Sequence, residues 1–138
     1  MKILRIGATG TIGQKVRERL ADNHEVIPVG HRDGVYRVHI ADNGSIEKLF
    51  EQVGEVDAVI STTGAAAFSA RAELTDEQFD LGWDNKLMGQ INLLRVGQAK
   101  VRKGGVALLT SGILAQEPIP GVSGSETYLR RLSNILPR

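Results

Sequence analysis

Short apolar runs alternate along the chain with segments whose apolar residues recur at helical spacing. Ile3, Leu4 and Ile6 make the first run, and Ile12, Val16 and Leu20 then fall on one face of a helix. Between them lies Gly7-Ala8-Thr9-Gly10-Thr11-Ile12-Gly13, where strand turns into helix. Residues 25–29 read as a second strand in which Pro28 removes one ladder bond, and the strand ends at Gly30-His31-Arg32-Asp33-Gly34. Residues 35–40 predict a third, short strand. Asp42 is placed to cap a helix in which Ile46, Leu49, Phe50 and Val53 keep the i, i+3, i+4, i+7 rule. A fourth strand over 56–60 is released at Ser61-Thr62-Thr63-Gly64.

Thr75 with Gln78 predicts a capping box for a short helix. A longer helix from Asn85 to about Val101 carries Leu87, Ile91 and Leu94 inward, with Trp83 packing between the two helices. Gly104-Gly105 turns into a fifth strand, 106–109, which exits at Thr110-Ser111-Gly112. Ser123 with Glu126 predicts another capping box before Tyr128, Leu132, Ile135 and Leu136, with Pro137 as the stop.

This alternation predicts an α/β fold: a Rossmann-like, doubly wound parallel sheet of five strands in order 3-2-1-4-5 with helices on both faces. Residues 1–138 read as a single domain, with 121–138 a divergent helical tail. Ligands of such sheets bind at the carboxyl ends of the strands, at the switch point between strands one and four. Four loops gather there: Gly7 to Gly13, His31-Arg32, Ser61 to Gly64, and Thr110-Ser111. Glycines let a backbone approach a ligand closely, and the N–H groups opening the following helix suit a diphosphate. Gly7, Thr9, Gly10, Thr11, Ile12 and Gly13 are therefore cofactor-binding candidates, the alternative being a tight turn with no ligand. Ser61, Thr62, Thr63 and Gly64 either pass a backbone over the adenosine ribose or simply end the strand. Arg32, assisted by His31, suits a 2′-phosphate and favours NADP over NAD, although Asp33 beside it could take a 2′-hydroxyl instead, and a solvated turn arginine beside an exposed histidine is the alternative.

Charge changes the picture by exclusion. Seventeen Lys and Arg against sixteen Asp and Glu leave a net charge of +1. So even a balance offers no footprint for nucleic acid or a membrane surface. The chain has no cysteine, which removes disulfides, thiolate chemistry and thiolate metal sites. His24, His31 and His39 are too scattered for a metal site, and no metal is expected. No run reaches membrane-spanning length and the amino end reads as a strand, so a soluble, cytoplasmic protein is expected.

With these residues in view, the chain resembles the short-chain dehydrogenase/reductase family over roughly residues 2 to 120. Gly7-x-x-Gly10-x-x-Gly13 is similar to the family's cofactor loop, and Ser61-Thr62-Thr63-Gly64 stands where the family usually has Asn-Asn-Ala-Gly. Lys86-Leu87-Met88-Gly89 resembles its Asn-Leu-x-Gly segment, and Leu109-Thr110-Ser111-Gly112 resembles the strand end that presents a catalytic serine. The resemblance implies hydride transfer between NADP or NAD and a small carbonyl or alcohol substrate. It makes Ser111 the serine and places Lys86 at the position of the catalytic asparagine.

The family's Tyr-x-x-x-Lys pair is absent. Four residues beyond Tyr36 lies Ile40, four beyond Tyr128 lies Leu132, and the position thirteen past Ser111 is Gly124. Lys86 or Arg130 would have to substitute, and His39 replaces an adenine-binding aspartate. A non-catalytic NAD(P)-binding module, or a shortened family fragment, is the alternative these departures leave open. The apolar fifth strand reads as covered on both faces yet lies at the sheet edge, which predicts a homo-oligomer formed through that edge, the tail, or the helix over 85–101.

Overall fold

A computed structural model describes residues 1–117, 120, 122–123 and 129–132. The chain divides into two compact units, Met1–Thr63 with Asn92–Thr110, and Gly64–Ile91 with Ser111–Arg138.

The first unit holds the sheet. Strands β1 (Lys2–Ile6), β2 (Glu25–Gly30), β3 (Tyr36–Arg37), β4 (Val56–Ser61) and β6 (Val101–Leu108) are all parallel, in order β3-β2-β1-β4-β6. This is the expected 3-2-1-4-5 sheet, with its last strand the sixth in the chain. An extra two-residue strand, β5 (Ser69–Ala70), pairs antiparallel with β7 (Val122–Ser123) in the second unit. Pro28 stands opposite Arg5 in the β1–β2 register, while β3 reaches only Val29 and Gly30. The proline thus sits where β2 has no partner on its outer side, as its missing N–H requires.

One face of the sheet carries the core. Leu4, Ile6, Val29 and Val59 pack there with Ile46, Leu49, Phe50 and Val53 of α2 (Asn43–Val53). Asp42 caps α2, its carboxylate accepting the Gly44 N–H at 2.9 Å, as the spacing implies. Asp57 ties three strands together. Its carboxylate accepts from Lys2 N at 2.6 Å and from Arg102 Nη1 at 2.9 Å, and these contacts hold its pKa below the usual carboxylate value.

Several expectations need correction. The third strand is two residues long; Val38 and Ile40 join the core from outside it, and Val35 is exposed. The long helix is three pieces: a π-helical turn at Gly82–Gly89, α4 (Gln90–Gly97) and a 3₁₀ turn at Gln98–Lys100. Leu87 is buried as expected, whereas in α4 it is Leu93, and not Ile91 or Leu94, that is fully buried. Val101 begins β6 instead of ending the helix.

Strand β6 is at the edge, as expected, but its apolar side chains are not covered: Val106 and Leu108 are about half exposed. Ile12, Val16 and Leu20 of α1 (Thr11–Ala21) do share a face, yet Ile12 is exposed and the three line an open groove with Lys15 and Arg19.

In the second unit the capping box of α3 (Asp76–Leu81) is present, with Thr75 and Gln78 exchanging bonds. Trp83 stacks on Phe79 with ring centroids 6.1 Å apart. Ser123 lies in β7, and the capping box expected from it with Glu126 falls outside the described residues. Leu129 and Leu132 are buried in a helical segment over 129–132; Glu126, Tyr128, Ile135, Leu136 and Pro137 lie outside the described residues. Among the described residues no helix is long and apolar enough to cross a membrane, and no cluster of His, Cys, Asp or Glu could hold a metal ion.

Candidate functional site: a nucleotide cradle and two polar residues

The cradle lies in the first unit and is built from backbone. Gly7 adopts φ +78°, in the left-handed region that favours glycine, and lets the chain leave β1 sharply. Its N–H and that of Ala8 both donate to the Val29 carbonyl, at 2.9 and 3.1 Å, tying the turn to β2. Gly13 then lies against the turn's own backbone: a Cβ there would stand 1.8 Å from Gly7 O. The loop closes so tightly on the start of α1 that only glycine fits.

The start of α1 is electrically open. Gly10 supplies no side-chain cap, and no acidic residue stands in the first turn. The positive end of the helix dipole is therefore not neutralised from within, which suits an anionic group. Thr9, Gly10, Thr11 and Ile12 are all exposed there. The residues present thus fit a dinucleotide diphosphate: a close-approach glycine bend, solvent access and a free dipole end.

The loop after β4 forms the neighbouring wall. Thr62 N donates to Ile6 O at 3.1 Å, and a Cβ on Gly7 would lie 3.1 Å from both Thr62 O and Thr63 Cβ. Ser61 is fully buried, its carbonyl accepting from Thr110 Oγ1 at 2.6 Å. Its place is in the wall and its hydroxyl does not face solvent. His31 and Arg32 are exposed in the turn after β2, with His31 Nδ1 3.3 Å from Val38 O and its ring 5.2 Å from that of His39.

Lys86, Ser111 and Gly64 belong to the second unit. Gly64 has φ +115°, and a Cβ there would meet Lys86 Cδ at 2.7 Å, so the glycine makes room for the lysine stem. Asn85 Oδ1 accepts the Ala65 N–H at 2.7 Å and fixes that loop to the π turn. Lys86 is half-buried, and desolvation pushes its ammonium pKa below the ordinary 10.5. Ser111 Oγ donates to Leu129 O at 2.8 Å.

Two contributors were not singled out from the sequence. Asn85 read only as a helix start. Arg5, fully buried inside β1, read as part of an apolar strand, although a charge flanked by Leu4 and Ile6 was a visible irregularity.

A parallel 3-2-1-4 sheet with a glycine bend at its switch point defines a Rossmann-like architecture. The profile of the NAD dependent epimerase/dehydratase family matches residues 3–128, and the chain belongs to that family. Its fold is that of protein lin1944 from Listeria innocua, with a TM-score of 0.92 and 41% identity over 98% of this chain and 68% of that one. A small-chain dehydrogenase in complex with NADPH aligns with a TM-score of 0.80 and 24% identity, covering 98% of this chain and 59% of that one. The hydroxynaphthalene reductase-like protein Arp2 of Metarhizium anisopliae is 23% identical over 121 residues, 83% of this chain. The chain spans 45% of the length of that curated relative. The family is described as NAD-dependent, and the fold agrees with the expected resemblance to short-chain dehydrogenases/reductases.

Proposed function

We propose that this protein is an NAD(P)-dependent short-chain oxidoreductase that prefers NADP and acts on a small carbonyl or alcohol substrate in the cytoplasm. The observation that carries the reading is the Gly7–Gly13 bend, where a Cβ at Gly13 would stand 1.8 Å from Gly7 O. Family membership and the NADPH held by a structural relative support it. The nicotinamide, when bound, supplies or accepts the hydride. Gly7, Gly10 and Gly13 with the N–H groups of Thr11 and Ile12 hold the diphosphate, with Thr9 at the rim. Thr62, Thr63 and Gly64 wall the adenosine side, on Ser61 as support. Arg32 and His31 take the 2′-phosphate.

Ser111 Oγ orients the substrate oxygen by hydrogen bonding. Lys86 takes the acid–base part that the absent Tyr-x-x-x-Lys pair plays elsewhere in the family: its ammonium gives a proton to the substrate oxygen as the carbonyl carbon is reduced, leaving a neutral amine. Burial already weakens its hold on that proton.

Calorimetric titration with NADPH and NADH tests the premise. Wild type is expected to bind NADPH more tightly, and Arg32→Glu to lose about 10–100-fold in NADPH affinity while sparing NADH, from the loss of charge-assisted hydrogen bonds. Equal affinities in wild type would remove Arg32 from cofactor choice. NADPH binding without oxidation by a broad carbonyl panel would support the second reading, a non-catalytic binding module, which the missing tyrosine–lysine pair favours.

The same reading includes a homo-oligomer. Strand β6 exposes Val106 and Leu108 at an edge, a surface that invites pairing. Sedimentation velocity is expected to give at least twice the monomer mass, and Val106→Lys to shift it toward monomer. A single monomeric species at high concentration sinks this part.

A further inference from the structure

Arg5 stands in the middle of the sheet, between Leu4 and Ile6, and is completely buried. No carboxylate pairs with it among the described residues. A charge taken out of water without a counter-ion destabilises a fold, and an aliphatic residue would serve the strand better. Burial holds the guanidinium below its ordinary pKa, with no neighbouring charge to offset it. The sheet alone gives no reason for an arginine here.

Its hydrogen bonds do. Nη1 donates to the carbonyls of Ile6 and Ile60, the latter at 3.2 Å, and Nη2 donates to Thr62 Oγ1, while Nε has no partner. One rigid fork therefore joins the end of β1, the end of β4 and the first residue beyond β4. Thr62 and Thr63 are the residues that a Cβ on Gly7 would meet first, at 3.1 Å, so they line the glycine turn closely. The separation of the glycine turn from the loop after β4 is thus set from inside the sheet.

We infer that Arg5 is a positioning residue for dinucleotide binding: its guanidinium braces the Thr62 loop beside the Gly7 turn and so fixes the wall that the ligand meets next to the glycine bend. The inference rests on the dinucleotide reading above. The brace acts on binding through loop placement, and its cost falls on the stability of the ligand-free chain. Binding and stability should therefore respond to its removal in different ways, which a general structural role does not predict.

The test uses the full chain with Arg5→Met, Thr62→Val and the double variant. NADPH affinity is read by calorimetry, the ligand-free thermal midpoint by scanning, and the amide exchange of Thr62 and Thr63 by NMR. Arg5→Met is expected to weaken NADPH binding about tenfold, the worth of a charged hydrogen bond. Its ligand-free midpoint stays equal or rises, and both amides exchange about tenfold faster, from the same free-energy change. Thr62→Val weakens binding to a similar degree, and the double variant is no weaker than Arg5→Met because one brace is cut twice. Unchanged affinity or unchanged exchange in Arg5→Met, with wild type binding normally, overturns the inference alone. A joint fall of midpoint and affinity also overturns it, by making Arg5 a general structural residue. If wild type takes up no NADPH, the dinucleotide reading fails and this inference with it.

Discussion

Gly13→Ala is expected to abolish NADPH binding and to lower the unfolding free energy by about 3 kcal/mol or more, at the upper end of overpacking costs. Two effects oppose each other at this site. Within a helix, alanine normally gains about 0.5–1 kcal/mol over glycine, because glycine loses more backbone freedom on folding. Here the new Cβ would lie 1.8 Å from Gly7 O, 2.8 Å from Gly7 C and 3.0 Å from Ala8 Cα. All three are backbone atoms of a turn fixed to Val29 by two hydrogen bonds, so none yields cheaply. The clash wins, and relief requires the turn to open.

Gly10→Ala is the control. Its Cβ would meet nothing closer than 3.6 Å, at Gly7 O, and its φ of −75° suits any residue. Its stability should change by less than about 1 kcal/mol, the scale of an N-cap exchange. Urea denaturation of both variants, with NADPH titration, checks the contrast. A Gly13→Ala protein as stable as Gly10→Ala would show that the turn is not the tight cradle described.

The parts of the fold that could be read in advance share a physical cause. Buried parallel strands carry short apolar runs, so β1, β2 and β4 were legible even with Arg5, Pro28 and Asp57 inside them, and side-chain caps such as Asp42 and Thr75 marked helix starts locally. The glycine bend was legible because only glycine meets its steric demand.

What escaped depends on non-local geometry. The register of β4 with β6 jumps from Val56↔Val101 to Ala58↔Val106, so the polar stretch between Val101 and Val106 belongs to the strand although nothing in its composition says so. The π turn at Gly82–Gly89 and the burial of Leu93 in place of Ile91 and Leu94 likewise carry no local signal. Arg5 was passed over because a cation in a strand signals only when its neighbours are known. Lys86 is a candidate through the family resemblance, but its burial is not written in its own stretch of sequence. Its burial follows from the Gly64 loop, twenty-two positions earlier in the chain.

Lys86→Met is the second large expected effect: turnover falls at least about 100-fold, the lower end of what a general acid contributes, while NADPH affinity moves less than about threefold. The wild-type rate should fall as pH rises through the Lys86 pKa, since only the ammonium can give up a proton, and that limb lies below the ordinary lysine value of 10.5 because burial disfavours the charge. Stability carries the opposite signature. Below the folded-state pKa both folded and unfolded chains hold the proton, and the full penalty for burying the charge is present. Between the folded and unfolded pKa values the unfolded chain binds more protons, so stability rises with pH. Measured as a difference from Lys86→Met by urea denaturation, wild type is therefore less stable at pH 7 and recovers as pH climbs toward 10.5. A pH-independent difference would mean that Lys86 is not desolvated. Unchanged turnover in the variant would move the proton transfer to another group, and the recovery with pH would then report burial alone.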